Sequence, residues 1–199
     1  MALRLLYAAV VIVALVLGYK AYALHATMNM LQRAPFGNQI GKDDAPYTIV
    51  EFVDYRCHFC RALSPTLDAL VEAHPDVRVV FRHLPVYDKV SLPDIDMALA
   101  AGVQGKFVDV HKKLMMREDP IDNAFIVETA RELGLDYDKL KKDMKSGDIG
   151  NFLIDNINAA QLLGVNSTPL FLIGDTIYNP DGHFPTDDEL MQVVHKAYE

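Results

Sequence analysis

Cys57 and Cys60 are the only two cysteines of the 199-residue chain, and they stand as Cys57-His58-Phe59-Cys60 between two differently patterned segments. Upstream, Tyr47 to Asp54 reads Tyr-Thr-Ile-Val-Glu-Phe-Val-Asp, a β-branched and aromatic run that predicts a buried strand. Downstream, from Arg61 to His74, Leu63, Leu67, Leu70 and Val71 recur at helical spacing. Pro65 interrupts that helix near its start and Pro75 closes it. The fold must therefore hold its only thiols where a strand hands over to a helix.

The N-terminus places the pair in a compartment. Leu5 to Gly18 is an unbroken apolar run behind Arg4, ended by Lys20. It is shorter than the ~20 residues of a bilayer-spanning helix and matches the ~7–15 residues of a signal-peptide core. Small residues follow in Ala21-Tyr22-Ala23, so residues 1–23 are expected to be a signal peptide cut after Ala23 or an uncleaved membrane anchor. Either sends the rest of the chain out of the cytoplasm, with a membrane tether through residues 5–18 in the second case. No cysteine follows the run, so a lipoprotein anchor is not expected. Residues 24–45 read as a solvated tether, with a short helix at 24–33 as the alternative, and the domain is expected over 46–199.

Within that domain, Val77 to Phe81 predicts a second strand. Apolar stripes such as Met97, Leu99, Ala100 and Val103, or Phe107, Val110, His111 and Leu114, predict helices over about 89–164. Leu170 to Ile173 and Thr176 to Tyr178, joined by Gly174-Asp175, predict a hairpin. Pro185-Thr186-Asp187-Asp188-Glu189 starts a last helix with a capping-box pattern. The order is strand, helix, strand, helices, hairpin, helix.

In an oxidising compartment two cysteines at this spacing make a poor staple, because so short a loop removes little unfolded-state entropy. They make a good working dithiol. A cysteine at a helix N-terminus meets free amides and the positive end of the dipole, which lowers its pKa to about 3.5–7.5 in motifs of this kind. Cys57 takes that place and is the candidate nucleophile. Cys60, one turn further in, is the candidate resolving thiol. His58 and Arg56 flank Cys57 and can add positive potential, although a solvated loop cation is the plainer reading of Arg56. Glu51 lies mid-strand on the face shared with Ile49 and Val53, where burial raises its pKa and lets it shuttle the Cys60 proton. Thr168-Pro169 opens an apolar strand and suits a cis X-Pro turn. A Cys₂His₂ zinc set of Cys57, Cys60, His74 and His83 is disfavoured, since the gap between the histidines is too long; no metal and no cofactor are expected. A net charge of −8 with basic residues interleaved among acids argues against nucleic acid as a partner.

These motifs in this order resemble the DsbA-like thiol–disulfide oxidoreductases of the bacterial cell envelope. The likeness covers about 46–199 and rests on Val50 to Cys60, on Gly105-Lys106-Phe107 opening an inserted helix, and on Gly164-Val165-Asn166-Ser167-Thr168-Pro169. It implies an α/β, thioredoxin-like fold with an inserted α-helical domain. It implies Cys57 as nucleophile, Cys60 as resolving thiol, Pro169 as the cis-proline facing them, and Thr168 as a binder of extended substrate backbone. Glu51 matches the buried acid, and Pro65 the helix-kinking proline, of thioredoxin-like proteins. The activity implied is a periplasmic dithiol oxidase acting on cysteine-containing exported proteins and reoxidised by a DsbB-type membrane partner. In DsbA itself the histidine adjoins the second cysteine, whereas His58 adjoins the first. A reductase or isomerase of the same family is therefore the alternative, and a metal-binding envelope protein the more distant one.

Overall fold

The computed structural model describes residues 2–180 and 182–199. Five strands form one sheet in the order β1-β3-β2-β4-β5: β1 Gln39–Ile40, β2 Tyr47–Val53, β3 Val77–His83, β4 Leu170–Ile173 and β5 Thr176–Tyr178. β2 and β3 run parallel, joined by α2 His58–Ala73, whereas β1, β4 and β5 pair antiparallel with their neighbours. Between β3 and β4 lie α3 Leu92–Gly102, α4 Phe107–Met115, α5 Asn123–Leu133, α6 Tyr137–Asp143 and α7 Gly147–Leu163; α8 Asp187–Tyr198 closes the chain. This is a thioredoxin-like sheet with an inserted helical domain.

Alternation along β2 sorts the core into two layers. Ile49 and Val53 pack with Leu63, Leu67 and Leu70 of α2, Leu190 and Val194 of α8, and Phe107 of α4. Val50 and Phe52 face the other way, against Ala159 and Ala160 of α7 and Leu31. Pro65 lies inside α2, whose first residue is His58 rather than Arg61. Thr186 caps α8 in the expected capping box with Glu189.

The expected solvated tether over 24–45 is corrected by the structure. Helix α1 runs without interruption through Ala2–Leu31, and Met28, Met30 and Leu31 pack on the second core layer. Buried Arg82 of β3 closes its C-terminal end: Nε donates to the Leu31 carbonyl at 2.9 Å, and Nη2 donates to the carbonyls of Arg33, at 2.7 Å, and Met30. The Met30 and Leu31 carbonyls belong to the last turn of α1, where no amide of the helix itself is left to donate to them. Beyond it, Asn38 Nδ2 donates to the Phe81 carbonyl at 2.8 Å and β1 pairs with β3. A Cβ on Gly102 would stand 1.9 Å from the Phe36 carbonyl oxygen, so glycine lets this segment cross α3. The upstream part of α1 is apolar and exposed, with a stretch at Arg4–Leu31 long and apolar enough to cross a membrane, a test that a signal sequence also passes. Met1, within the expected signal or anchor, lies outside the described residues.

Candidate active site

Cys57 is the N-cap of α2, with extended backbone (φ −73°, ψ 117°), and its sulfur accepts the Cys60 amide at 3.4 Å. Asp54 O accepts the Cys57 amide at 3.0 Å, which turns the chain from β2 into the helix. Both sulfurs are free thiols; Cys57 is 4% exposed and Cys60 fully buried behind it. The Cys57 pKa is lowered to about 6. A hydrogen bond from the Cys60 side chain does most, against the opposing pull of burial, and the Thr168 side chain and the amides of Cys60 and Phe59 add to it. In the thiol form Cys57 Sγ donates to the Thr168 backbone carbonyl at 3.3 Å, and the buried Thr168 hydroxyl has no hydrogen-bond partner among the described residues, so it can turn toward a thiolate. The Cys60 pKa is raised well above its ordinary 9.0 by burial, by its bond to Cys57, and by the charges of Glu51 and Cys57. Two thiols one helical turn apart thus have opposite character at neutral pH.

The other expected residues gather here unequally. Glu51 sits in β2 between Phe81 and Phe171, on the layer that holds both cysteines, 1% exposed and with neither carboxylate oxygen hydrogen-bonded among the described residues. Its pKa is raised well above 4.5, first by burial and then by the Cys57 charge. The Thr168–Pro169 peptide is cis, and Pro169 lines a cavity of about 250 Å³ with Phe59, Leu63, Thr168, His183 and Phe184. His58 is exposed, its ring edge-on to Phe59, and it is not among the groups that lower the Cys57 pKa. Arg56 is no solvated cation: its side chain is buried and paired with Asp94 at 2.7 Å. The cysteines and histidines of the zinc alternative are dispersed, with His74 at the far end of α2, about 24 Å along the helix, and His83 bonded to Tyr55.

Sequence reasoning missed a buried polar set behind the pair. Tyr55 is fully buried, and its hydroxyl lies 3.0 Å from His111 Nδ1 of α4 and 3.1 Å from His83 Nε2 of β3. Burial pushes the Tyr55 pKa up, His83 well down and His111 down to about 3, so all three are neutral at physiological pH. In the sequence His111 reads only as part of an apolar stripe; a histidine on a core-facing stripe is itself a sign that a polar partner waits inside.

Residues 34–194 match the family model described as Thioredoxin. The chain belongs to the thioredoxin family. The helical insertion into its sheet lies between β3 and β4. A thioredoxin-like oxidoreductase from Silicibacter pomeroyi is 32% identical, with 84% of this chain and 95% of that one covered and a TM-score of 0.75. A periplasmic thioredoxin-like protein from Salmonella enterica serovar Typhimurium is 27% identical over 88% of this chain and 95% of that one, at a TM-score of 0.67. The thiol-disulfide exchange protein alpha-DsbA2 from Wolbachia pipientis shares the fold at 21% identity, covering 89% and 94% with a TM-score of 0.76. Among curated proteins, the Na(+)/H(+) antiporter NhaA 3 of Salinispora tropica is 30% identical over 135 residues, which is 67% of this chain and 21% of that protein. The chain thus spans about a fifth of the length of the curated relatives it matches.

Proposed function

We propose that this thioredoxin-family chain is a dithiol oxidase of the cell envelope that passes a Cys57–Cys60 disulfide to cysteine-containing exported proteins. The observation that carries it is the split between the two thiols: Cys57 lowered to about 6 at the helix start, Cys60 raised and buried behind it. Stabilising the Cys57 thiolate favours the reduced form, which is what makes the oxidised form a donor of its disulfide.

A substrate thiolate attacks Cys57 Sγ. The Cys57–Cys60 bond breaks, a substrate–Cys57 disulfide forms, and Cys60 leaves as a thiolate inside the fold. Glu51, which burial keeps protonated beyond the ordinary carboxylate range, supplies the proton that neutralises it. A second substrate thiolate attacks the substrate sulfur of the mixed disulfide, and Cys57 departs as a thiolate. The substrate has lost two electrons and two protons; the enzyme has gained the electrons and must be reoxidised, a task for a DsbB-type membrane partner. The Thr168 carbonyl borders the attacked sulfur, and on this reading Thr168 and the cis Pro169 take extended substrate backbone, with apolar side chains resting against Phe59 and Phe184. The apolar stretch of α1 directs the domain to the periplasm and, where uncut, holds it at the membrane.

Trapping the thiols with an alkylating agent in intact cells tests the direction. A mostly oxidised Cys57–Cys60 pair is expected. A mostly reduced pair overturns the oxidase reading in favour of a reductase or isomerase.

A further inference from the structure

Three consecutive side chains before Cys57 leave the sheet and bury themselves in the inserted helical region. The Asp54 carboxylate accepts the Arg56 and Val86 amides, each at 2.8 Å, and the Ser91 hydroxyl at 2.7 Å, fastening the stretch between β3 and α3. The Tyr55 hydroxyl reaches His111 of α4. Arg56 is the most deeply committed: Nε lies 2.7 Å from Asp94 Oδ2 in α3, and Nη1 donates to the Glu118 carbonyl at 2.7 Å, beyond α4. The Arg56 and Asp94 side chains are 6% and 0% exposed. Asp94 Oδ1 accepts the Ile121 amide at 3.2 Å, so both ends of the pair are tied to the insertion.

A guanidinium one residue from a reactive cysteine ordinarily favours the thiolate. Here a buried carboxylate on another element compensates that charge. The geometry points to Asp94 and Arg56 as a pair of positioning residues: α3 holds the guanidinium inside the insertion and cancels its charge at Cys57, so the inserted domain sets how readily Cys57 ionises. Neither Arg56 nor Asp94 is among the groups that shift the Cys57 pKa, so the role rests on the geometry of the ion pair. Asp94 itself is pushed up by burial and held down by Arg56, the Ile121 amide and Arg117, with Asp54 opposing. The other charged or titratable groups facing Cys57 are Glu51 and Cys60, with His58 on the solvent side. None of these is altered by a change at Asp94.

The inference rests on the reading of Cys57 as the ionised nucleophile, and the test separates the two. Alkylation rates of Cys57 are followed from pH 4 to 9 in the reduced full chain, with the modified cysteine located by mass. Asp94→Asn frees the guanidinium and is expected to lower the midpoint by about half a unit or more, raising the rate at pH 5 roughly threefold. Arg56→Met leaves an uncompensated carboxylate and is expected to raise it. The double variant is expected to return close to the parent. Loss of packing alone moves both single variants the same way, so shifts of one sign, or none, overturn the proposal. Should Asp94→Asn fail to fold, Arg56→Met and Arg56→Lys decide it: methionine raises the midpoint and lysine restores it, whereas equal midpoints overturn the proposal. A parent with no midpoint near pH 6 overturns the nucleophile reading itself. A parent that titrates there, with variants that do not separate, removes only the role of the pair.

Discussion

Replacing Glu51 with glutamine should make the protein more stable in proportion to pH. Glu51 is buried with neither oxygen hydrogen-bonded among the described residues, and its pKa is raised well above 4.5. In the unfolded chain it ionises near 4.5; in the fold it keeps its proton to higher pH. The stability associated with the protonated carboxyl is therefore fully present below pH 4.5 and is lost as pH rises through the folded-state value. The loss runs at about 1.4 kcal/mol per pH unit across that window. Glutamine does not titrate. The stability difference, Glu51→Gln variant minus parent, should be flat below pH 4.5 and then climb at about that slope. For a chain of this size the slope is roughly 3–6 °C in Tm per pH unit. The amide meets the same apolar walls as the carboxyl, so the offset at acid pH is not diagnostic; the slope is. Between pH 4.5 and 6 Cys57 is mainly a thiol, and its charge does not confuse the comparison. Thermal unfolding of the reduced Glu51→Gln and parent proteins from pH 4 to 8 measures it. Parallel Tm curves over that range would refute the reasoning, because Glu51 would then ionise alike in both states.

Three further outcomes follow from named contacts. Cys60→Ala should raise the Cys57 alkylation midpoint above about 6, with Cys60→Ser in between, because the Cys60 side-chain bond is the largest contribution and serine keeps a donor. Tyr55→Phe should cost about 2–3 kcal/mol in urea unfolding, since it strands His111 Nδ1 and His83 Nε2 in the core. Arg82→Met should cost about 3 kcal/mol or more and speed hydrogen exchange at the end of α1, because the carbonyls of Leu31 and Arg33 lose the guanidinium and Met30 keeps only the Arg33 amide.

What the sequence made legible was local. The β2 run, the helical spacing of Leu63, Leu67 and Leu70, the Thr186 capping box and the setting of Thr168-Pro169 each state their structure within a few residues. Glu51 was legible because strand alternation puts it on the face of Ile49 and Val53. What stayed hidden depends on partners distant in the chain. Met28 and Leu31 lie at helical spacing, but the face they cover is made by Val50, Phe52 and α7, and only the folded sheet brings these together. Gln39–Ile40 is too short for any periodicity. Arg56 looked like a loop cation because Asp94, its partner, belongs to a helix across the insertion.

The central claim is that Cys57, not Cys60, exchanges disulfides. Single-cysteine variants, Cys60→Ser and Cys57→Ser, reacted with a small aromatic disulfide at pH 6 test it directly. In the parent about half of Cys57 is thiolate there, a share that Cys60→Ser lowers, against less than roughly a thousandth of Cys60, whose pKa lies above 9.0. The lower basicity of the Cys57 thiolate gives back about 15- to 30-fold in nucleophilicity. The Cys60→Ser variant, which keeps Cys57, should still react several-fold faster, and burial of Cys60 widens the gap. Equal rates, or a faster Cys60, would contradict the account.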